Sequence, residues 1–386
     1  MRRFLFPLYV LSILVVVLVT SECSLNYMMN HSKDYAPALQ EKLSQYYHLY
    51  ECRYIQLEPT MARYDSSLFY TLRPGTFEYN NREFSTQYAI NSLGCRDSED
   101  DLNFPEIVVL GDSYAMGWGV EAEACFANRI EAATGLRVLN AAISSYGTPR
   151  QMGLLNRIQT DSLKYLIIQY CGNDYREIYD YAKNKDQLKV SSESIYDSLS
   201  NHIRHVTRNY PLKLTRSLLP TLFGLKEFAQ PVESEPLDPR IQVPNIFLDL
   251  IRLSDQIPAQ TTIYVFHIYD KGFNNNFLNQ VKALLDQSFD YEWSERIQFI
   301  DLSDSFEDHH YFDLDMHINN RGHQLVADSL IQRIQNEPKG PRVKHYYYNT
   351  NQLAARVEYM GYLRDGRTTY YWNNGRISQP PFSKMA

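Results

Sequence analysis

Apolar residues along the chain fall into runs of three kinds. The first is one unbroken stretch, Phe4 to Val19, behind Arg2 and Arg3 and ahead of the next charge at Glu22. The second is a set of short runs bounded by turn residues: Ile107–Leu110, Leu136–Asn140, Tyr165–Cys171, Thr262–Ile268 and Ile297–Leu302. Short continuous apolar runs of this kind predict parallel strands buried on both faces. The third kind recurs at helical spacing. It predicts helices over Ala122–Thr134, ended by Gly135; over Pro149–Thr160, opened by its proline; and over Asn320–Gln335, with Leu325, Val326, Leu330, Ile331 and Ile334 on one face and Pro338 beyond. Strands alternating with helices predict an α/β fold, a parallel sheet between two helical layers.

Three segments break this rhythm. Residues 24–100 are polar and rich in tyrosine without sustained periodicity, which predicts a stalk and then a small β-rich lead-in. Residues 175–258 enter directly after the third strand. They are helical in pattern over Ile195–Val206 and Leu214–Phe228 and are broken by Pro220, Pro231, Pro236, Pro239 and Pro244. An insertion at a strand's carboxyl end covers the ligand edge of such sheets, so this one reads as a lid, or else as a packing annex. In the tail, His345–Leu353 and Thr369–Ile377 look like two copies of one aromatic unit, with Gly361–Gly366 between them. Their Asn-Gly and Asp-Gly pairs are hairpin signals, and the unit resembles MORN-type or antitoxin-like hairpin repeats. The resulting organisation is 1–23 as a membrane anchor or signal segment, 24–100 as stalk and lead-in, 101–337 as the α/β domain and 338–386 as a β-hairpin tail.

The N-terminal run is slightly short for a bilayer span of about 20 residues and long for a signal-peptide core of about 7–15. Three fates fit it. The favoured one is an uncleaved anchor that holds Arg2 and Arg3 on the cytoplasmic side and the body outside. The others are a cleaved signal with secretion, and lipidation at Cys23, against which Glu22 counts. A net charge of −7 without a long basic run argues against a nucleic-acid partner. The 31 tyrosines suit stacking on sugars as well as strand formation. An exported chain permits disulfides. Cys52 and Cys95 are one pairing that the sequence leaves open, while Cys125 and Cys171 sit in apolar contexts and read as buried thiols.

The first strand ends in Gly111-Asp112-Ser113-Tyr114, placing a serine where open α/β sheets bind ligands. The bland reading is that Asp112 and Ser113 only cap the next helix. Three features favour chemistry. Gly147, after the second strand, lets a backbone N–H approach an oxyanion. Asn173, after the third, offers a side-chain amide. His317, after the last strand in Asp313-Leu-Asp-Met-His317, lies on the same sheet edge as Ser113.

These blocks, in this order, resemble the SGNH (GDSL-like) hydrolase superfamily over roughly Asn91 to Ile334. The lead-in Asn91–Arg96 looks like that of exported, envelope-associated members, with Cys95 where they carry phenylalanine. The resemblance implies a three-layer, flavodoxin-like parallel sheet with a helical insertion. It implies Ser113 as nucleophile, His317 as general base, and an oxyanion hole of Ser113 N–H, Gly147 N–H and Asn173. Many members place the acid three residues before the histidine, where this chain has Leu314. Asp315 fits the D-x-H variant, with Asp313 as the fallback. The expected activity is a serine esterase on O-acyl esters, O-acetyl among them, of envelope glycans or lipids. No cofactor or metal is expected. The rivals are acyl transfer on the same substrates, a metal site from His309, His310, Asp313, Asp315 and His317, and a catalytically silent glycan-binding scaffold whose tail recruits a protein partner. His323 and His267 read as packing residues, and Trp118 as pocket lining or packing.

Overall fold

The computed structural model describes residues 2–228, 236–268, 276–287, 291–337, 341–347, 352–360, 363–372 and 374–378. Helix α1 (Arg2–Asn30) contains the apolar run and continues past it without a break. Its first half is bare, with Phe6, Leu8, Leu11, Leu14 and Val16 about half exposed or more. The stretch Phe6–Asn30 is long and apolar enough to cross a membrane. Its last turns belong to the body: Leu25 and Met29 are buried.

Where residues 24–100 were expected to open as a stalk they are packed helix, and the expected small β-rich lead-in follows as two hairpins. Helix α2 (Pro37–Tyr50) opens with a proline at its first position and buries Leu43, Tyr46 and Tyr47. Two antiparallel hairpins follow. Strand β1 (Ala62–Asp65) pairs with β2 (Phe69–Leu72), and β3 (Gly75–Asn80) pairs with β4 (Ser85–Ile90). Arg82, in the second turn, clamps three segments together. It donates to Asn26 and Asn30 of α1 at 2.8 Å each and to both oxygens of Glu51 at 2.6 and 2.8 Å. The sequence missed this because the apolar positions that hold the segment, mostly tyrosines, are paired over distance and show no local period.

The α/β domain then runs β5 (Ile107–Leu110), the four-residue α3 (Ser113–Met116), α4 (Phe126–Thr134), β6 (Val138–Asn140), α5 (Thr148–Leu155) and β7 (Tyr165–Tyr170). The insertion supplies α6 (Gly172–Lys183), α7 (Glu193–Thr207), α8 (Lys213–Leu222) and α9 (Val243–Arg252). The domain closes with β8 (Thr262–His267), α10 (Phe277–Asp286), α11 (Tyr291–Arg296), β9 (Ile297–Ile300) and α12 (Asn320–Gln335). All pairs in this sheet are parallel, and their spatial order is β6-β5-β7-β8-β9. Counted within the domain this is 2-1-3-4-5, the flavodoxin-like order.

Alternation along the strands divides the core into two. Ile107, Val109, Ile167, Tyr264 and Phe266 face one layer, with α4, α12 and α2. Val108, Leu110, Leu166, Ile168, Ile263 and Val265 face the other, with α5, α6, α9 and α10. Period-2 alternation with apolar residues on both sides is what a doubly covered sheet requires. Cys52 lies in the first core and Cys95 in the second, and both are free thiols, as is Cys125; Cys171 is buried. The pairing left open by the sequence is not made.

The insertion's helices α7 and α8 pack on the N-terminal segment. The α7 residue Tyr196 donates to Gln56 O at 3.1 Å. Helix α8 lies along α1, and Glu22 caps it by accepting the N–H groups of Leu214 and Thr215 at 3.1 and 2.7 Å. Helix α8 stops at Leu222, short of the expected Phe228, because Gly224 turns left-handed and Leu225 N–H bonds back to Pro220 O. Pro231 lies outside the described residues. In the tail, β10 (Pro341–Tyr347), β11 (Leu353–Met360), β12 (Leu363–Tyr371) and β13 (Ile377–Ser378) form an antiparallel meander. Gly375 makes the last turn at φ 77°. Parts of both expected repeat units, residues 348–351 and 373, lie outside the described residues. The meander docks on the domain through α11, where Lys344 pairs with Glu295.

Gly119 ties hairpin to domain. Its φ is +73°, and a Cβ there would come within 2.6 Å of Phe84 and 2.9 Å of Phe312. Gly119→Ala should therefore destabilise the protein by about 2–4 kcal/mol through left-handed strain and overpacking, read as a lowered urea midpoint in detergent. A midpoint within error of wild type contradicts this packing.

Candidate active site

The four buried residues of β5 carry the chain to Gly111, where a Cβ would stand 2.6 Å from both the Ala115 methyl and Gln169 Oε1. Only glycine fits so tight a turn. Gln169 Oε1 accepts the Asp112 N–H at 3.0 Å, and the Asp112 carboxylate accepts the Tyr114 N–H at 3.0 Å. Asp112 is thus the cap of α3. Ser113 is not a cap: its Oγ lies 2.7 Å from His317 Nε2. Being the first residue of a helix, Ser113 has an N–H with no intrahelical acceptor. The lead-in serves this turn. Arg96 is buried and donates to the carbonyls of Gln87 at 3.0 Å, Val120 at 2.7 Å and Gly117, while its guanidinium lies 3.6 Å over the Tyr88 ring.

His317 arrives on the loop between β9 and α12. That helix packs on α4, which follows the serine turn, so the loop crosses back over the sheet's carboxyl edge. The loop is pinned at its base where Phe312 N–H donates to His317 O at 2.9 Å and Asn319 N–H to His310 O at 2.8 Å. The imidazole stacks on Trp118 with ring centres 4.8 Å apart and planes 17° apart, and Tyr114 flanks it at 4.8 Å. Trp118 therefore lines the histidine. Nδ1 of His317 is bonded to Asp315 Oδ1. Met316, between acid and base, sits at φ 65°, a left-handed conformation costing about 1–2 kcal/mol.

Asp315 has no exposed side-chain surface. Burial pushes its pKa up, but the charge and hydrogen bond of His317, the charge of His48 and the Tyr47 hydrogen bond outweigh it. The carboxyl is held below its ordinary value. Tyr47 OH donates to Asp315 Oδ2 at 2.5 Å, and burial with the nearby Asp315 charge keeps this phenol protonated. Glu83 holds the backbone of the loop by accepting the N–H groups of Asp313, Leu314 and Asp315 at 2.7, 3.0 and 2.7 Å. Burial pushes the Glu83 pKa up to about 7 and the Asp315 charge adds to this, with the three N–H groups pulling the other way. Neither Tyr47 nor Glu83 is foreshadowed in the sequence. Each reaches the loop across more than two hundred residues, and no local motif marks such a contact.

The remaining candidates separate. Asp313 pairs with Lys33, leaving Asp315 as the carboxylate on the histidine. Gly147 N–H is directed at Glu177 Oε2 at 3.3 Å, and the same oxygen pairs with Arg150 at 3.0 Å. Asn173 is exposed in the first turn of α6 and lines a cavity of about 890 Å³ with Arg150, Arg176, Glu177 and Lys189. Ser113 and His317 are brought together with Asp315, whereas Gly147 and Asn173 stand at the ends of the two neighbouring strands with other partners or none on the serine. Among the described residues no group of three potential metal ligands converges. His309 pairs with Glu307, and the His310 ring accepts the Glu307 N–H at 2.9 Å. His323 is fully buried, accepts the Phe126 N–H at 3.3 Å, and has its pKa pushed down to about 3 by burial.

A hydroxyl, an imidazole and a buried carboxylate in one hydrogen-bonded line can remove the hydroxyl's proton as its oxygen attacks an electrophilic carbon. No family model matches the chain, and no curated relative matches it. Solved structures do superpose. One, described as a carbohydrate esterase whose active site displays divergent catalytic and non-catalytic binding functions, aligns at 13% identity and TM-score 0.33, over 60% of this chain and 65% of that one. A carbohydrate esterase family 2 enzyme from Corynascus thermopiles aligns at 11% identity and TM-score 0.35, over 60% and 65%. An acetyl xylan esterase from Butyrivibrio proteoclasticus aligns at 13% and 0.31, over 60% and 64%. The chain thus spans about two thirds of the length of these proteins. The chemistry is read from the side chains themselves.

Glu83 gives the loop a pH signature. Its folded pKa of about 7 exceeds the ordinary 4.5, so the folded state holds the proton more tightly. Its contribution to stability is full below the unfolded value and is lost as pH rises through about 7. Glu83→Gln is neutral throughout. The Tm advantage of wild type over this variant should therefore shrink between pH 5 and pH 8, and a constant gap in thermal unfolding contradicts the raised pKa.

Proposed function

We propose that the chain is a serine esterase of the SGNH (GDSL-like) type, acting through an acyl-serine on Ser113. The observation that carries this reading is the hydrogen-bonded line from Ser113 Oγ through His317 to Asp315, at the carboxyl edge of the sheet. His317 Nε2 takes the Ser113 proton as Oγ bonds to the ester carbonyl carbon, and the carbonyl π electrons move onto oxygen. Asp315 stabilises the resulting imidazolium without taking its proton. The oxyanion is met first by Ser113 N–H. Gly147 N–H and the Asn173 amide are the further donors, and Gly147 becomes available when Glu177 yields it. His317 then protonates the departing alcohol, and water repeats the cycle to release the acid.

The substrate reading is an O-acyl ester, with O-acetyl as the simplest case, on a cell-envelope glycan or lipid. Retention of α1 as a tether is supported by its last turns. Glu22 caps α8, and Leu25 and Met29 are buried, so removal of α1 would strip contacts from the body. Arg2 and Arg3 at its start orient the body outward. Exposed Tyr347 and Trp372 on the tail sheet offer aromatic faces to sugars. A second reading, transfer of the acyl group to another alcohol, is favoured by the burial of Ser113, which is only 7% exposed and poorly open to bulk water.

The full chain in detergent should hydrolyse p-nitrophenyl acetate, with kcat/KM lowered by at least about 10⁴-fold in Ser113→Ala and in His317→Ala. Faster turnover with added alcohols, giving transferred ester, selects the transferase reading. Equal turnover in wild type and Ser113→Ala removes the serine mechanism.

A further inference from the structure

The loop that carries the proposed base and acid is held from outside its own domain. Ser44 Oγ donates to Leu314 O at 2.6 Å, Tyr47 OH to Asp315 Oδ2 at 2.5 Å, and Lys33 pairs with Asp313. All three belong to the arm, residues 32–50, that directly follows α1. Only Tyr47 touches the carboxylate itself. With Oδ1 on His317 and Oδ2 on Tyr47, both oxygens of Asp315 are taken and the plane of the carboxylate is set. The Tyr47 side chain is fully buried, so water does not substitute for its hydroxyl.

We propose that Tyr47 is a positioning residue for Asp315, and that docking of the arm behind α1 is what makes the Ser113–His317–Asp315 line competent. The proposal rests on the serine esterase reading and goes beyond it by making that site depend on the membrane-proximal arm. Two effects follow from the geometry. A carboxylate without its second partner can rotate away from His317 Nδ1, which lowers turnover without changing substrate binding. The phenol also draws charge from Oδ2; without it, more charge rests on Oδ1 and the His317 proton is held more tightly. The groups facing Asp315 are His317 on its own loop, Tyr47 and His48 on α2, Cys52 and Tyr54 beyond it, and Glu83 and Tyr79 on the β3–β4 hairpin. Of these, Tyr47 and His317 bond to its carboxylate oxygens.

The test compares Tyr47→Phe with Tyr46→Phe in the full chain, in detergent, on p-nitrophenyl acetate across pH. Phenylalanine keeps the ring and its packing at either position. Tyr46 is the neighbour on the same helix, and its hydroxyl is bonded to Ser217 Oγ at 2.6 Å, away from the loop. Tyr47→Phe should lower kcat by roughly 10–100-fold with KM within about twofold of wild type, and should move the acid limb of the kcat profile upward. Tyr46→Phe should leave kcat and the limb in place. In an Asp315→Asn background, Tyr47→Phe should cost little further, because the residue acts through that carboxylate. Tyr47→Phe matching wild type, equal losses in both tyrosine variants, or full additivity with Asp315→Asn each overturn the proposal. Those results are separable from failure of the esterase reading, which shows as wild type no faster than Ser113→Ala and overturns both.

Discussion

A carboxylate with no exposed side-chain surface is the constraint around which the site is built. Taking such a charge from water costs several kcal/mol unless every lone pair finds a partner. Asp315 finds His317 on one oxygen and Tyr47 on the other. Its backbone N–H is held by Glu83, together with those of the two residues before it. The left-handed Met316 beside it is tolerated because these bonds over-determine the loop. Remove the burial and the acid becomes an ordinary surface aspartate. Remove the partners and it protonates or swings away from the histidine.

The sheet supplies the other half of the geometry. Residues alternating between two cores make it a rigid three-layer plate, and the 2-1-3-4-5 order puts the carboxyl end of β5 at the reversal point of the topology. Ser113 stands there by virtue of Gly111 and the Asp112 cap. The loop after β9 reaches it because α12 packs on α4, which follows the serine turn. Site and scaffold are coupled at the N-terminal segment. The β3–β4 turn places Arg82 on α1 and Glu83, its neighbour, on the histidine loop. Contacts to α1 and to the loop that carries His317 therefore come from two adjacent residues of one hairpin turn.

The parts legible in the sequence are those written locally. Five apolar runs became the five parallel strands, and the stripe over Asn320–Gln335 became α12 with the same ends. Gly-Asp-Ser after a buried strand and Asp-x-His before the last helix marked Ser113, Asp315 and His317, which the fold brings into one line. What was not legible is written across distance. Tyr47 meets Asp315 over 268 positions, and the first half of a tyrosine-rich segment without period read as a stalk where it is packed helix, although its β-rich second half was legible. Gly147 was readable as a flexible N–H but not as one already given to Glu177, whose approach depends on the Arg150 ion pair. The cysteines show the same limit. Spacing allowed Cys52 and Cys95 to pair, and only the division of the core into two layers separates them.

Ser113 Oγ, bonded to His317 Nε2, is the proposed nucleophile. Incubating the full chain with a fluorophosphonate and mapping the peptides by mass spectrometry tests this role most directly. One phosphonyl adduct should form, on the peptide that carries Ser113, and far more slowly when His317 is replaced by alanine. An adduct on another residue, or none on a folded chain, would contradict it.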